Sequence, residues 1–201
     1  MTSTVNVSAP GVASAALAML GASGIASFDD GSTEANIAES LYEDVVVAML
    51  CSHRWRFAVA QASMNHLAAP PTGRWDEAWQ LPNDVLHVIA VTEDGVPIEY
   101  DIFGDMVYCD LDEEHTLIVD YIYRAPESEW LPMFRLGVEQ YLAATFSVAL
   151  RADEQLTKQL EAAADRTLRR ARTIDSQQQT VRKIRTNKFL NSRLGSRTVI
   201  R

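Results

Sequence analysis

The spacing of apolar residues changes twice along this chain of 201 residues, and these changes limit the folds that it can adopt. From 34 to 53, apolar residues recur every three or four positions, as on one face of a helix. From 56 to 124 they recur at every second position, which is typical of strands. Beyond 130 the helical spacing returns. The order helices, strands, helices predicts an α+β fold that is mainly α.

Local signals set the bounds of four predicted helices. Ser8 before Pro10 is a typical helix start, and Asp153 is a typical N-cap residue. The predicted helices cover residues 8–20, 34–53, 130–150 and 153–178. Since each has an apolar face, we expect them to pack as an antiparallel bundle.

The middle of the chain predicts a small antiparallel β meander, inserted into the bundle at about 56–124. Residues 85–91 form a strand that is apolar on both faces. The triplet Glu93-Asp94-Gly95 is typical of a hairpin turn, and further turns are expected at 104–105 and 112–114. The expected architecture is therefore a helical bundle with an inserted meander and an extended C-terminal arm.

The C-terminal segment differs in charge from the rest of the chain. The net charge is −9, yet Gln179 to Arg201 contains seven Lys or Arg and no Asp or Glu. Such a segment is either a nucleic-acid tail or an arm that docks on another protein. The acidic body would repel a polyanion, and apolar residues stand between the bases, which favours the docking arm. The candidate contact residues of the arm are Arg182, Lys183, Arg185, Lys188, Phe189, Leu190, Arg193, Leu194 and Arg197.

The sequence contains no pattern that predicts catalysis, a cofactor or a metal site. The histidines have no zinc-ligand spacing, and Gly21 to Gly24 lacks the lysine of a phosphate-binding loop. Cys51 and Cys109 are expected to be reduced and buried. The four tryptophans are expected to pack in the core or in a subunit interface rather than to stack on bases.

The apolar stretch from Val12 to Ala26 resembles neither a secretory signal nor a membrane span. No Lys or Arg precedes it, since the first basic residue is Arg54, and a signal needs a positive start. The stretch is also too short to cross a bilayer. We therefore expect a soluble protein without a membrane partner.

Several motifs in order resemble the head–tail adaptor proteins of tailed phages and gene transfer agents, the tail tubular protein A group among them. In the run from Ala16 to Ala58, a helix ending in Leu-Gly and a Ser/Asp linker precede a helix that finishes in Trp55-Arg56-Phe57. The segments LPNDVLHV, YDIFGDMVY and WLPMFRLGVEQYLA follow in the family's order. The resemblance covers about residues 14 to 150.

The resemblance implies a structural virion protein without enzymatic activity. It implies a homo-oligomeric ring, commonly of twelve subunits, that joins the portal protein to a tail stopper or tail-tube component and is assembled in the bacterial cytoplasm. Residues 1–178 would form the adaptor domain, and 179–201 the arm that reaches the portal. The alternative is a small nucleic-acid-binding protein that uses the basic tail.

In such a ring, DNA passes through without sequence-specific binding. Acidic residues along the channel would let it slide, because like charges prevent tight phosphate contacts. The candidates for this channel lining, or for a tail-facing surface, are Asp101, Asp105, Asp110, Asp112, Glu113 and Glu114.

Overall fold

The computed structural model describes residues 7–67, 73–151 and 153–178, and these form four α-helices and eight β-strands. The first two helices are α1 (Ala9–Met19) and α2 (Thr33–Cys51). The strands follow as β1 (Val59–Ser63), β2 (Asn65–His66), β3 (Glu77–Gln80), β4 (Val85–Glu93), β5 (Val96–Pro97), β6 (Asp101–Phe103), β7 (Met106–Cys109) and β8 (Leu117–Tyr123). The last two helices are α3 (Pro132–Leu150) and α4 (Glu154–Gln177).

The predicted architecture, a helical bundle with a small inserted meander, is wrong. The strands form two four-stranded antiparallel sheets, so the fold is α+β with two sheets in place of one small meander. The first sheet has the order β1-β8-β4-β5 and the second has the order β2-β3-β7-β6. In a meander, consecutive strands are neighbours, whereas here β8 lies between β1 and β4.

The first sheet lies between the helices and the second sheet. On β8, Ile122 packs into the core formed with the helices. Val119 and Tyr121 pack instead into a second core, together with Trp79 and Val107 of the second sheet. The molecule therefore has three layers: the helices, the first sheet and the second sheet.

Two irregularities in β4 explain why this strand is apolar on both faces. Its pairing with β8 shifts between Val85 and His87 and again between Val88 and Ala90, so Leu86 and Ile89 are extra residues. These two side chains pack against the helical core. Val85 and Val88 pack against the core of the second sheet. Each bulge thus turns one side chain toward the opposite layer.

The helices start at the predicted capping residues and pack closely. Ser8 caps α1 and Asp153 caps α4, as predicted, while the side chain of Ser32 caps α2. All four helices begin and end within two residues of the predicted bounds. Helices α3 and α4 meet at Gly137, where an added Cβ would lie 2.7 Å from Cδ2 of Leu168.

Three of the four tryptophans lie in the core, as expected. Trp55, Trp79 and Trp130 are buried. The ring centroids of Trp55 and Trp130 lie 4.7 and 5.2 Å from that of Phe134 on α3. This aromatic group joins α3 to the segments that follow α2 and precede α3.

Candidate functional site

The segment that forms most of the two sheets is strongly acidic. Residues 75–123 contain thirteen Asp or Glu and no Lys or Arg. Within the described residues, these acids form ion pairs with histidines or with a base outside the region. The base is Arg74, whose Nη1 lies 3.6 Å from Oδ2 of Asp101. The sheets therefore form an acidic surface that disfavours contact with phosphates.

Two of the candidate acidic residues are linked through one turn. The indole Nε1 of Trp75 donates to Oδ2 of Asp101 at 2.8 Å. The next backbone N–H, that of Asp76, donates to Oδ1 of Asp110 at 3.3 Å. The Trp75-Asp76 segment thus holds both carboxylates at one end of the β6–β7 hairpin.

Three more candidate residues lie in the loop between β7 and β8. Asp112 accepts a hydrogen bond from the backbone N–H of Glu114 at 3.1 Å, and Glu113 and Glu114 are exposed. In the same loop, Nδ1 of His115 bonds to the carboxylate of Glu93 at the end of β4. This hydrogen bond, and the nearby carboxylates, raise the pKa of His115 above its ordinary value.

The sixth candidate, Asp105, lies apart from the others. It occupies the turn at the opposite end of the β6–β7 hairpin and accepts from Nε2 of Gln80 at 3.0 Å. The structure thus places five of the six acids together, at the end where β6 begins and β7 ends. A single lining formed by all six would need both ends of the hairpin.

A groove of about 410 Å³, lined by both apolar and polar residues, lies beside Asp105, between the start of β4 and the β6–β7 turn. Its apolar lining includes Pro82, Val85, Val88 and Ile102. Ile102 is 41% exposed and the next residue, Phe103, is 59% exposed. Since β6 is the edge strand of the second sheet, Ile102 adds an exposed apolar side chain to the groove, whereas Phe103 faces the other side of the sheet and packs against Tyr108.

The end of α4 is fixed by the buried carboxylate of Asp175. Its Oδ1 accepts the backbone N–H of Arg56 at 3.2 Å, and its backbone carbonyl accepts Nε of Arg56 at 3.1 Å. Nε2 of His53 lies 3.8 Å from Oδ2. Arg172, one turn earlier, donates to Ser52 at 3.3 Å. The point from which residues 179–201 continue is therefore held against the junction of α2 and β1.

Burial and charge act on His53 in opposite directions. Burial lowers the pKa of His53 and outweighs the attraction of Asp175, while the positive charge of Arg172 lowers this pKa further. His53 also packs edge-on against Trp55, with ring centroids 4.8 Å apart. We infer that the neutral form of His53 belongs to the folded state at neutral pH.

A second polar network joins α2 to the segment before α3. Arg124 donates to both carboxylate oxygens of Glu43, at 2.7 and 3.0 Å, and to Glu127 at 2.6 Å. The hydroxyl of Tyr42 donates to Glu127 at 3.0 Å. Burial raises the pKa of Tyr42 strongly, and the adjacent Glu127 adds to the effect. Because each charge has a partner, we interpret this network as structural.

Within residues 7–67, 73–151 and 153–178, no cluster of three or more His, Cys, Asp or Glu side chains has the geometry to hold a metal ion. Both cysteines are free thiols, Cys109 buried and Cys51 partly buried. No helix in the described part of the chain combines the length and apolar character needed to cross a membrane.

The predicted arm lies outside the described residues. This applies to Arg182, Lys183, Arg185, Lys188, Phe189, Leu190, Arg193, Leu194 and Arg197. The contact role of these side chains stays a prediction.

Comparison with protein-family models and with curated proteins gave no match for this sequence. The resemblance to head–tail adaptors therefore rests on the order of the motifs.

Sequence reasoning missed two features, the buried Asp175 and the groove beside Asp105. The role of Asp175 could have been inferred from the sequence, because it is the lone acid after four arginines in the last turns of α4. The sequence indicates the groove less clearly. Residues 85–91 are apolar on both faces, but nothing in the sequence shows which residues cover them.

Proposed function

We propose that this protein is a structural head–tail adaptor of a phage or phage-like particle. Copies of the chain form a ring that joins the portal protein to the tail stopper or tail-tube component and lets DNA pass. The observation that carries the proposal is the division of charge: thirteen acids without Lys or Arg in residues 75–123, and seven bases without Asp or Glu in 179–201. The proposal requires no catalytic group, cofactor or metal.

The acidic sheets suit the passage of DNA. A phosphate backbone binds proteins through Lys and Arg, and residues 75–123 contain neither. If this surface faces the channel, DNA meets like charge and is not held. In this proposal the basic arm binds rather than repels, because its bases and apolar residues suit contact with an acidic or grooved surface of the portal.

The motifs behind the resemblance meet in one core, which further supports the proposal. Trp55 and Phe57 belong to the first motif, and Trp130 and Phe134 to the last. The rings of Phe57 and Phe134 lie 5.1 Å apart. Motifs far apart in the chain that pack together are expected when they define a shared fold.

Binding to the portal protein of the same particle tests this proposal. The full chain should co-sediment with portal rings and add a second ring in electron micrographs. A chain ending at Gln178 should keep its circular dichroism spectrum and lose portal binding. Normal binding by the shortened chain would refute the arm, and no binding by the full chain would refute the adaptor.

Two variants with equal changes in net charge distinguish specific binding of the arm to the portal from general electrostatic attraction. Replacing Arg182, Lys183 and Arg185 with Glu should abolish portal binding. Replacing the exposed Arg166, Arg169 and Arg170 of α4 with Glu changes the net charge equally and should leave binding intact. Equal losses in both variants would show that net charge alone controls the interaction.

The seven bases also favour a second candidate, a small nucleic-acid-binding protein. If all seven contact phosphates, the logarithm of the binding constant should fall against the logarithm of the salt concentration with a slope of roughly −6. Fluorescence anisotropy with labelled DNA at low and moderate salt measures this slope. The adaptor proposal instead expects no DNA affinity even at low salt.

A further inference from the structure

The groove beside β6 has the properties of a docking surface. Ile102 lines the groove, lies on an edge strand and is 41% exposed, and large apolar side chains on such an edge favour association. The groove of about 410 Å³ also offers Pro82, Val85 and Val88 as apolar contacts. This volume accommodates a few aliphatic or aromatic side chains.

The charge around the groove selects the kind of occupant. Asp105 lies at its border, and its described partner is the neutral amide of Gln80. The residues that line the groove include this one acid and no Lys or Arg. A ligand that combines apolar side chains with positive charge therefore fits this surface, because it fills the groove and offsets the acid.

We propose that the groove binds the C-terminal segment of the same chain, with Phe189 and Leu190 in the groove and the flanking bases near Asp105 at its border. Lys188 and Arg193 flank this apolar pair, and the segment 179–201 has no acid that would be repelled. The charge and the apolar content of this segment complement those of the groove. In this state the segment is bound to its own chain rather than to a partner, and the inference does not depend on portal binding.

The segment is long enough to reach the groove. The end of α4 lies against Arg56, just before β1. Strands β1 and β4 start at the same end of the first sheet, on either side of β8, and are thus about 10 Å apart. Residues 179–188 span up to about 33 Å when extended, which suffices to pass around the sheet to Val85 and Val88.

The connection through the chain favours the segment of the same molecule over that of a second copy. A short tether gives the linked segment an effective concentration in the millimolar range. A dilute solution of the protein contains other copies at far lower concentration. We therefore expect docking within one chain, independent of protein concentration.

Cleavage by chymotrypsin after Phe189 measures whether this residue is covered. Replacing Ile102 with Gln removes an apolar contact, so cleavage after Phe189 should become about tenfold faster, because it follows the population of the open segment. The control is Val148→Gln on α3, where a valine that is 64% exposed changes in the same way. Its cleavage rate should equal that of the unaltered chain. Equal rates in all three proteins would overturn the proposal.

A disulfide test identifies the source of the bound segment. Asn83 lines the groove and Asn191 follows Leu190, so cysteines there leave the proposed apolar contacts intact. After Cys51→Ser, the pair Asn83→Cys and Asn191→Cys should oxidise to a monomer with one internal disulfide. The pair Val148→Cys and Asn191→Cys should stay reduced under the same conditions. Covalent dimers as the main product of the first pair would show docking between copies and contradict the proposal, as would the absence of any disulfide.

Discussion

The helical layer and the second sheet are held together by different means. The helices share a large core around Phe134, and the segment with α3 and α4, residues 124–178, contains eight acids and eight bases. The second sheet has a smaller core around Trp79 and Val107, and it lies in a region without Lys or Arg. We infer that the helices form the stable scaffold, while the sheet supplies a surface that is easier to open.

The largest expected effect follows from a cavity in the helical layer. Phe134→Ala removes a side chain that is fully buried and contacts the rings of Trp55, Phe57 and Trp130. We expect a loss of about 3–5 kcal/mol in the free energy of unfolding, measured in urea. The control is Leu136→Ala on the same helix, where the side chain is 36% exposed. Similar losses in both variants would show that the helical core does not dominate stability.

The next effect concerns the end of α4. Asp175→Ala removes a buried carboxylate and leaves the backbone N–H of Arg56 without its acceptor. The expected cost is about 2–3 kcal/mol, again from urea unfolding. The exposed Asp165 lies on the same helix, and Asp165→Ala should change stability by less than about 0.5 kcal/mol. An equally small change at Asp175 would mean that α4 does not need this contact.

A change in the second sheet should act locally. Val107→Ala creates a cavity in the smaller core, and we expect a cost of about 1–2 kcal/mol. Hydrogen exchange should accelerate in β3, β6 and β7 while the amides of α2 and α3 stay protected. If exchange accelerates equally in the helices, the two regions unfold as one unit and the comparison fails.

Local chemistry predicted much of the helical layer and of the turns. Ser8 and Asp153 supply side-chain oxygens to free N–H groups, and this capping depends on neighbours in sequence. Asp94 and Gly95 both have positive φ angles, 47° and 79°, which the Asp-Gly pair tolerates in a hairpin. Such features can be predicted from the sequence because they need no distant partner.

The two-sheet division could not be predicted in the same way. The residues of β1 are mostly small or polar, so their alternation is weak, and their register is set by pairs such as Ala62 with Val119. Likewise the contacts of Asp101 and Asp110 with the Trp75-Asp76 turn join residues more than twenty positions apart. Pairing over such distances is decided by the packed sheets rather than by local pattern.

The smallest effect compares one histidine from each region, and the two should respond to pH in opposite directions. His53 has a lowered pKa, mainly because of burial, so the unfolded chain binds a proton that the folded chain does not. Stability should rise as the pH increases toward the ordinary value of 6.5. His115 has a raised pKa through Glu93, so its contribution is complete below 6.5 and is lost as the pH rises through the folded-state pKa.

Gln substitutions isolate the two contributions. With His53→Gln, the rise in melting temperature on the acid side of 6.5 should become shallower. With His115→Gln, the decline above 6.5 should become shallower, and the change should be small because His115 is partly exposed. NMR titration of the two imidazoles checks the pKa directions directly. If both pKa values move the same way, burial does not separate the scaffold from the acidic surface, and the two regions differ only in the size of their cores.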